Sequence, residues 1–180
     1  MADLMKGTVE MDETYIGARK KRGSRRGRPG PDSHKTPVVA LVERGTGRVR
    51  AFPMPRVTAD NLQEALSANA VKSATLMTDD YFAYRSLGEG QAAHGVVKHS
   101  NDEYVRGEAH TNTVEGFFSL LKRGINGAFH HVSRGHLERY CDEFAFRYEN
   151  RKATDAERAT MIVGGAEGKR LTYQQPAKAS

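Results

Sequence analysis

Asp12, Asp79 and Glu115 are the residues of this 180-residue chain whose types and spacing could carry chemistry. They stand in three separate stretches, "VEMDETYIG" (9–17), "LMTDDYFAY" (76–84) and "HTNTVEGFFSLLKRG" (110–124). Brought together, they would form a set of hard oxygen ligands, the kind Mg²⁺ or Mn²⁺ prefers. Two such ions roughly 3.5–4 Å apart stabilise both the attacking and the leaving oxygen of a phosphodiester. Clustered without a cation, the same carboxylates would repel one another and some would take up protons. Lys122 stands seven residues after Glu115. Positions i and i+7 share a helix face, so an acid holding metal and a lysine meeting phosphate would point the same way.

Each acid also has a plainer reading. Asp12 could be a solvated strand residue, and Asp79-Asp80 could open a turn or cap a helix. Glu115 could complement a helix dipole from the first turn. Asp80 and Asn112 are candidates for supporting the site from behind. Asp79 fits the strand end better than Asp80, and Asn112 reads more readily as a helix cap than as a contact to a metal-bound water. Further candidates for phosphate contact are Arg123, His130 and His131. The His pair and His110 lack the cysteines or the HExxH spacing of a zinc site. His99 sits at a predicted strand end. Arg134, Arg139 and Arg147 read as an exposed helix face, and Phe117, Phe118 and Leu121 as core. A glycosidase-type carboxylate pair is disfavoured by the basic charge and by the position of Lys122.

The elements that must position these residues follow from local pattern. Residues 7–16 read as a strand carrying Asp12. Positions 19–28 hold seven basic residues, Arg19, Lys20, Lys21, Arg22, Arg25, Arg26 and Arg28, and no acid. That segment, within an insertion over 18–36, cannot bury apolar area, and we expect a loop. It would bind phosphate without sequence choice, or else merely solubilise. Strands over 37–43 and 48–54 around a Gly45–Gly47 turn predict a hairpin. Thr58 or Asp60 caps a helix with Leu62, Ala65, Leu66 and Ala70 on one face. A short buried strand over 74–78 ends in the acids, and "GVVKHS" (95–100) predicts another. Helices are expected over 112–124 and 134–150, with a short one near 154–163 in an otherwise polar tail, 153–180. Three strands, a helix, two more strands and two helices make an α/β protein. The expectation is an RNase H-like fold over residues 1–152, a mixed five-stranded sheet with helices on both faces.

Composition agrees with a polyanionic partner. Lys and Arg number 28 against 22 Asp and Glu, a formal charge of +6, and the pI is about 9.5. One cysteine, Cys141, excludes an internal disulfide and a Cys-rich zinc site. No apolar run approaches ~18 residues and no signal-peptide pattern opens the chain. The expectation is a cytoplasmic protein without membrane association.

The stretches 9–17, 76–84, "HTNTVEGFFSLLKRGINGAFHHVS" (110–133) and "FRYENRK" (146–152) together resemble the DDE transposases of bacterial insertion sequences, in their ISXO-two-like group. The resemblance covers residues 8–152. It implies Asp12, Asp79 and Glu115 as catalytic, metal-holding acids, with Lys122 as the basic residue that follows. It implies Mg²⁺ or Mn²⁺, as two ions, and double-stranded DNA as partner, both transposon ends and target. It also implies nicking that frees a 3′-OH, strand transfer by that hydroxyl, and self-association on DNA. Such chains usually begin with a zinc ribbon and often a helix-turn-helix. This one begins shortly before Asp12, so a fragment, or a decayed or start-misassigned copy, is expected. Two other functions stay open: a non-catalytic DNA-binding or oligomerisation remnant, and a nonspecific nuclease on the same fold.

Overall fold

The structure is a computed structural model that describes residues 3–17, 35–97 and 110–168. Strand β1, Thr8–Gly17, is the spine of the molecule. It pairs antiparallel with β2, Lys35–Glu43, which pairs antiparallel with β3, Val49–Pro53. On its other edge β1 pairs in parallel with β4, Thr75–Asp79, and β4 pairs in parallel with β5, Ala93–Val97. The sheet order is therefore β3-β2-β1-β4-β5. The hairpin turns at Gly45 and Gly47, whose positive φ angles of 82° and 72° suit glycine.

Side-chain alternation sends β1 to two cores. Val9 and Met11 join Val39, Leu41 and Leu76 under helix α1, Ala59–Asn69. Thr58 caps α1 by accepting from the Asn61 amide. Ile16, Val38, Ala40 and Val42 face the opposite way. They pack against helix α2, Asn112–Gly124, and helix α3, Leu137–Glu149. Helices thus cover both faces, as expected. A short 3₁₀ turn, Phe82–Tyr84, follows β4 and buries Tyr84.

Three features depart from the sequence expectation. Strand β5 starts at Ala93, before the expected 95, and is described to Val97, with 98–100 outside the described residues. Helix α2 does not stop at Gly124 but widens into a π-helical turn, Ile125–Phe129, ending at His130 with φ 57°. Helix α3 is entered through a separate 3₁₀ turn, Arg134–His136. The helix in the tail, α4, spans Asp155–Ala166 behind a capping box of Thr154 and Glu157. It buries no residue. Among the described residues no helix is long and apolar enough to cross a membrane.

Candidate active site

The register of the parallel β1–β4 pair determines where the first two acids stand. Thr8 faces Thr75, and the described pairing ends with Glu10 opposite Met77. Carried two residues further, the same register sets Asp12, in the middle of β1, opposite Asp79, which stands at the carboxyl end of β4. Ligand sites of α/β sheets open at such ends. Asp12 also lies on the strand face that α2 covers, because Glu10, Asp12 and Ile16 alternate with Val9 and Met11. Glu115 comes to this region in the first turn of α2.

The electrostatics at Asp12 reflect its acidic neighbours. The Asp12 carboxyl is pushed up to about 8, first by burial, then by the negative charges of Glu13, Asp79 and Glu115, although it accepts a hydrogen bond from the Glu13 amide. That bond is 2.7 Å long and engages Oδ1. Asp79 Oδ1 accepts from the Tyr81 amide at 3.0 Å, so Asp79 also opens a turn, as its plainer reading had it. Glu115 Oε1 accepts from the Thr111 hydroxyl at 3.1 Å. Among the described residues no group of three or more His, Cys, Asp or Glu is gathered closely enough to hold an ion as it stands. The acids feel each other's charge at longer range. The donor set itself, all carboxylate oxygen, fits Mg²⁺ or Mn²⁺ and not a soft metal.

Asp80 follows Asp79 in a bend and is half-buried. Asn112 does not cap its helix. It is the first helical residue and is exposed, with Thr111 in the cap position and no side-chain cap bond from it. The amides that a cap would serve are taken by Glu10, 103 and 104 residues upstream.

Three buried polar residues that sequence reasoning passed over hold this region together. Glu10 is fully buried and binds the start of α2. Thr111 is 1 % exposed and orients Glu115. Tyr84 donates to Glu13 Oε2 at 2.6 Å, tying the turn after Asp79 to the residue beside Asp12. Burial and the charges of Glu13, Asp12 and Asp79 push the Tyr84 hydroxyl well above its usual range, so it stays a donor. One signal was available. "VEMDET" places three acids in six residues of a strand with little solvent-facing surface, and buried carboxylates need partners.

Lys122 lies on the exposed side of α2, as does Glu115. It lines a groove of about 750 Å³ with Lys35, Asn126, His130 and His131, whose floor includes Tyr15 and Ile16 of β1. Gly17 and Lys35, which pair across β1 and β2, form its rim. Arg123 is exposed and is not part of that lining. Arg19, Lys20, Lys21, Arg22, Arg25, Arg26, Arg28 and His99 lie outside the described residues. His110 sits at the opposite end of α2 from His130 and His131, beside Glu10, so the three histidines make no common site. Phe117, Phe118 and Leu121 are core, as expected.

Comparison with known proteins agrees with this architecture. The crystallised catalytic core domain of BIV integrase superposes with a TM-score of 0.54 at 13% identity, over 91% of this chain and 98% of that one. A chain of the simian T-cell lymphotropic virus intasome in complex with PP2A regulatory subunit B56 gamma superposes with a TM-score of 0.51 at 12% identity, over 98% of this chain and 61% of that one. The fold is therefore RNase H-like, a mixed five-stranded sheet with helices on both faces. In sequence, an uncharacterised protein of the transposable element ISH50 from Halobacterium salinarum is 34% identical over 157 residues. That match takes in 81% of this chain but spans only 53% of the relative's length. Residues 4–149 match the model of the ISXO2-like transposase domain, and the chain belongs to that family.

Proposed function

We propose that the chain is a transposase catalytic domain that nicks DNA at transposon ends and joins the freed 3′-OH to a target duplex. The observation that supports this reading is the placement of the acids, Asp12 and Asp79 on neighbouring parallel strands and Glu115 in the first turn of α2, near enough that both of their charges help raise the Asp12 carboxyl. A half-buried acid among acids is a poor arrangement for stability and a good one for a hard cation. Asp12, Asp79 and Glu115 would hold two Mg²⁺ or Mn²⁺ ions, which when bound stabilise charge on the attacking and leaving oxygens. Thr111 keeps the Glu115 carboxylate turned through its hydroxyl. Lys122, with Lys35, His130 and His131 along the groove at the far end of α2 from Glu115, would bind DNA phosphates. The basic run 19–28 would add phosphate contacts without sequence choice. Bringing two transposon ends together calls for more than one copy of the chain on DNA, and the reaction belongs in the cytoplasm, where the DNA lies.

A non-catalytic remnant is the competing reading. It is favoured by the spacing of the acids, which among the described residues are not gathered closely enough to hold an ion as they stand. Calorimetric titration of Mn²⁺ into the wild type, Asp79→Asn and Glu115→Gln, with and without a DNA duplex, separates the two. Binding by the wild type alone, followed by joining of a 3′-OH oligonucleotide to plasmid, supports transposase chemistry. Cleavage without joining would leave a nuclease. No metal binding in either condition would leave the remnant.

A further inference from the structure

We propose that Glu10 is a positioning residue for the acid set: it clamps the first turn of α2 to β1 and so determines where Glu115 stands relative to Asp12. The proposal rests on the functional reading above, and it concerns a residue that holds no metal itself.

Glu10 has no exposed surface. It stands two residues before Asp12, on the same face of β1. Its Oε2 accepts from the backbone amides of Thr113 at 2.8 Å and Val114 at 2.9 Å. Its Oε1 accepts from the Thr113 hydroxyl at 2.8 Å and from Arg44 Nε at 2.6 Å. The Thr113 and Val114 amides are the second and third of the helix, the donors that a capping side chain normally takes. Here the cap arrives from another element. The consequence falls on Thr111. It sits in the cap position, yet its hydroxyl is left to donate to Glu115 Oε1 at 3.1 Å. Glu10 takes over the capping, and the residue in the cap position orients the acid instead.

The surroundings make the clamp stiff. Arg44 donates also to the His110 carbonyl at 2.6 Å, fixing the chain just before the helix. The Tyr148 hydroxyl of α3 donates to the Thr113 carbonyl at 3.1 Å. His110 Nδ1 lies 3.2 Å from Glu10 Oε1 but is not aligned as a hydrogen bond, so it adds no fifth donor to the clamp. Holding a helix against a sheet does not by itself need a carboxylate. Apolar packing does it with no desolvation cost. A buried carboxylate with four directed donors adds a fixed register and orientation, which is what a ligand in the same first turn requires.

The test uses the full chain, Mn²⁺ as the probe, and Glu10→Gln, which keeps the shape but turns two acceptor sites into donors facing donors. Amide exchange at Thr113 and Val114 reads the clamp directly. Mn²⁺ affinity reads the effect on Glu115. We expect faster exchange at both amides and a roughly 10- to 100-fold loss of Mn²⁺ affinity, the range for groups that orient ligands. Joining should lose kcat, with DNA affinity measured in Ca²⁺ unchanged. Thr113→Val removes only the hydroxyl bond and should show the same pattern more weakly. It stands in if Glu10→Gln does not fold. Unchanged amide protection overturns the proposal, and so does loosened exchange with unchanged Mn²⁺ affinity. A wild type that binds no Mn²⁺ sinks the functional reading and the positioning role with it. Intact wild-type binding beside an unaffected variant sinks the positioning role alone.

Discussion

Replacing Asp12 by asparagine should stabilise the metal-free protein, and increasingly so as pH rises above the ordinary carboxylate range. The Asp12 carboxyl titrates near 8 in the folded chain against an ordinary 3.8. Between those values the folded state keeps a proton that the unfolded state has lost. Stability is then fully present below the lower value and falls as pH rises toward the upper one. At about 1.4 kcal/mol per pH unit, the gap sets an upper limit of about 6 kcal/mol. Asp12 keeps part of its surface in water, and solvent screening brings the expected cost to roughly 2–3 kcal/mol. The Asp12→Asn side chain cannot ionise and escapes that cost. For a chain of this length the difference is about 5–10 °C in Tm. The assay is thermal unfolding in a chelator from about pH 4.5 to about pH 8.5, wild type beside Asp12→Asn. The two curves should meet near the acid end and separate steadily above it. Added Mn²⁺ should close the gap by raising the wild type alone. A pH-independent difference, or a variant less stable at the alkaline end, would refute the idea that like charges crowd this carboxyl.

Three further outcomes follow from other contacts. A methyl group on Gly124 would overlap the Phe144 ring at Cζ, so Gly124→Ala must push α3 off α2 or displace the ring. We expect about 1–3 kcal/mol of destabilisation by urea unfolding, and a neutral result would mean the helices cross less tightly. Tyr84→Phe removes the 2.6 Å bond to buried Glu13 and should cost about 1.5–3 kcal/mol, read as a lower denaturation midpoint; an unchanged midpoint would mean that Glu13 finds another donor. Lys122→Ala should reduce the slope of log affinity for duplex DNA against log salt by about 1, and an unchanged slope would take Lys122 off the phosphate path.

The parts of this fold that are local in cause were legible in the sequence. Thr58 ahead of a spaced Leu62, Ala65 and Leu66 announces α1, and glycines at 45 and 47 announce the hairpin. The acids could be proposed from the sequence because carboxylates within strands and at the start of a helix have a chemistry to suggest. What stayed hidden has non-local causes. Asn112 looks like a cap because nothing near it in sequence tells that Glu10 already serves those amides. Glu10 itself reads as one polar residue of a strand, and only its burial shows otherwise. The π-helical turn after Gly124 has no periodicity of its own. It ends at Phe129, whose ring meets Tyr140 of α3 with centroids 4.7 Å apart, a contact between residues of two different helices.

The two faces of the sheet differ in when they can be covered. Helix α1 lies within the stretch that makes the strands, so one core can close as soon as residue 97 is available. The other face must wait for α2 and α3, which end at residue 149. During synthesis, at about 5–20 residues per second, that leaves several seconds in which an apolar sheet surface faces water. Glu10 lies on that open face without the helix amides that later surround it. The late helices close loops as long as the 103 residues between Glu10 and Thr113, contacts of high order that slow folding. A nascent chain of this kind should depend on chaperones more than its modest length suggests. Its aggregation should be governed by the Val38–Val42 strand surface, not by its exposed charges.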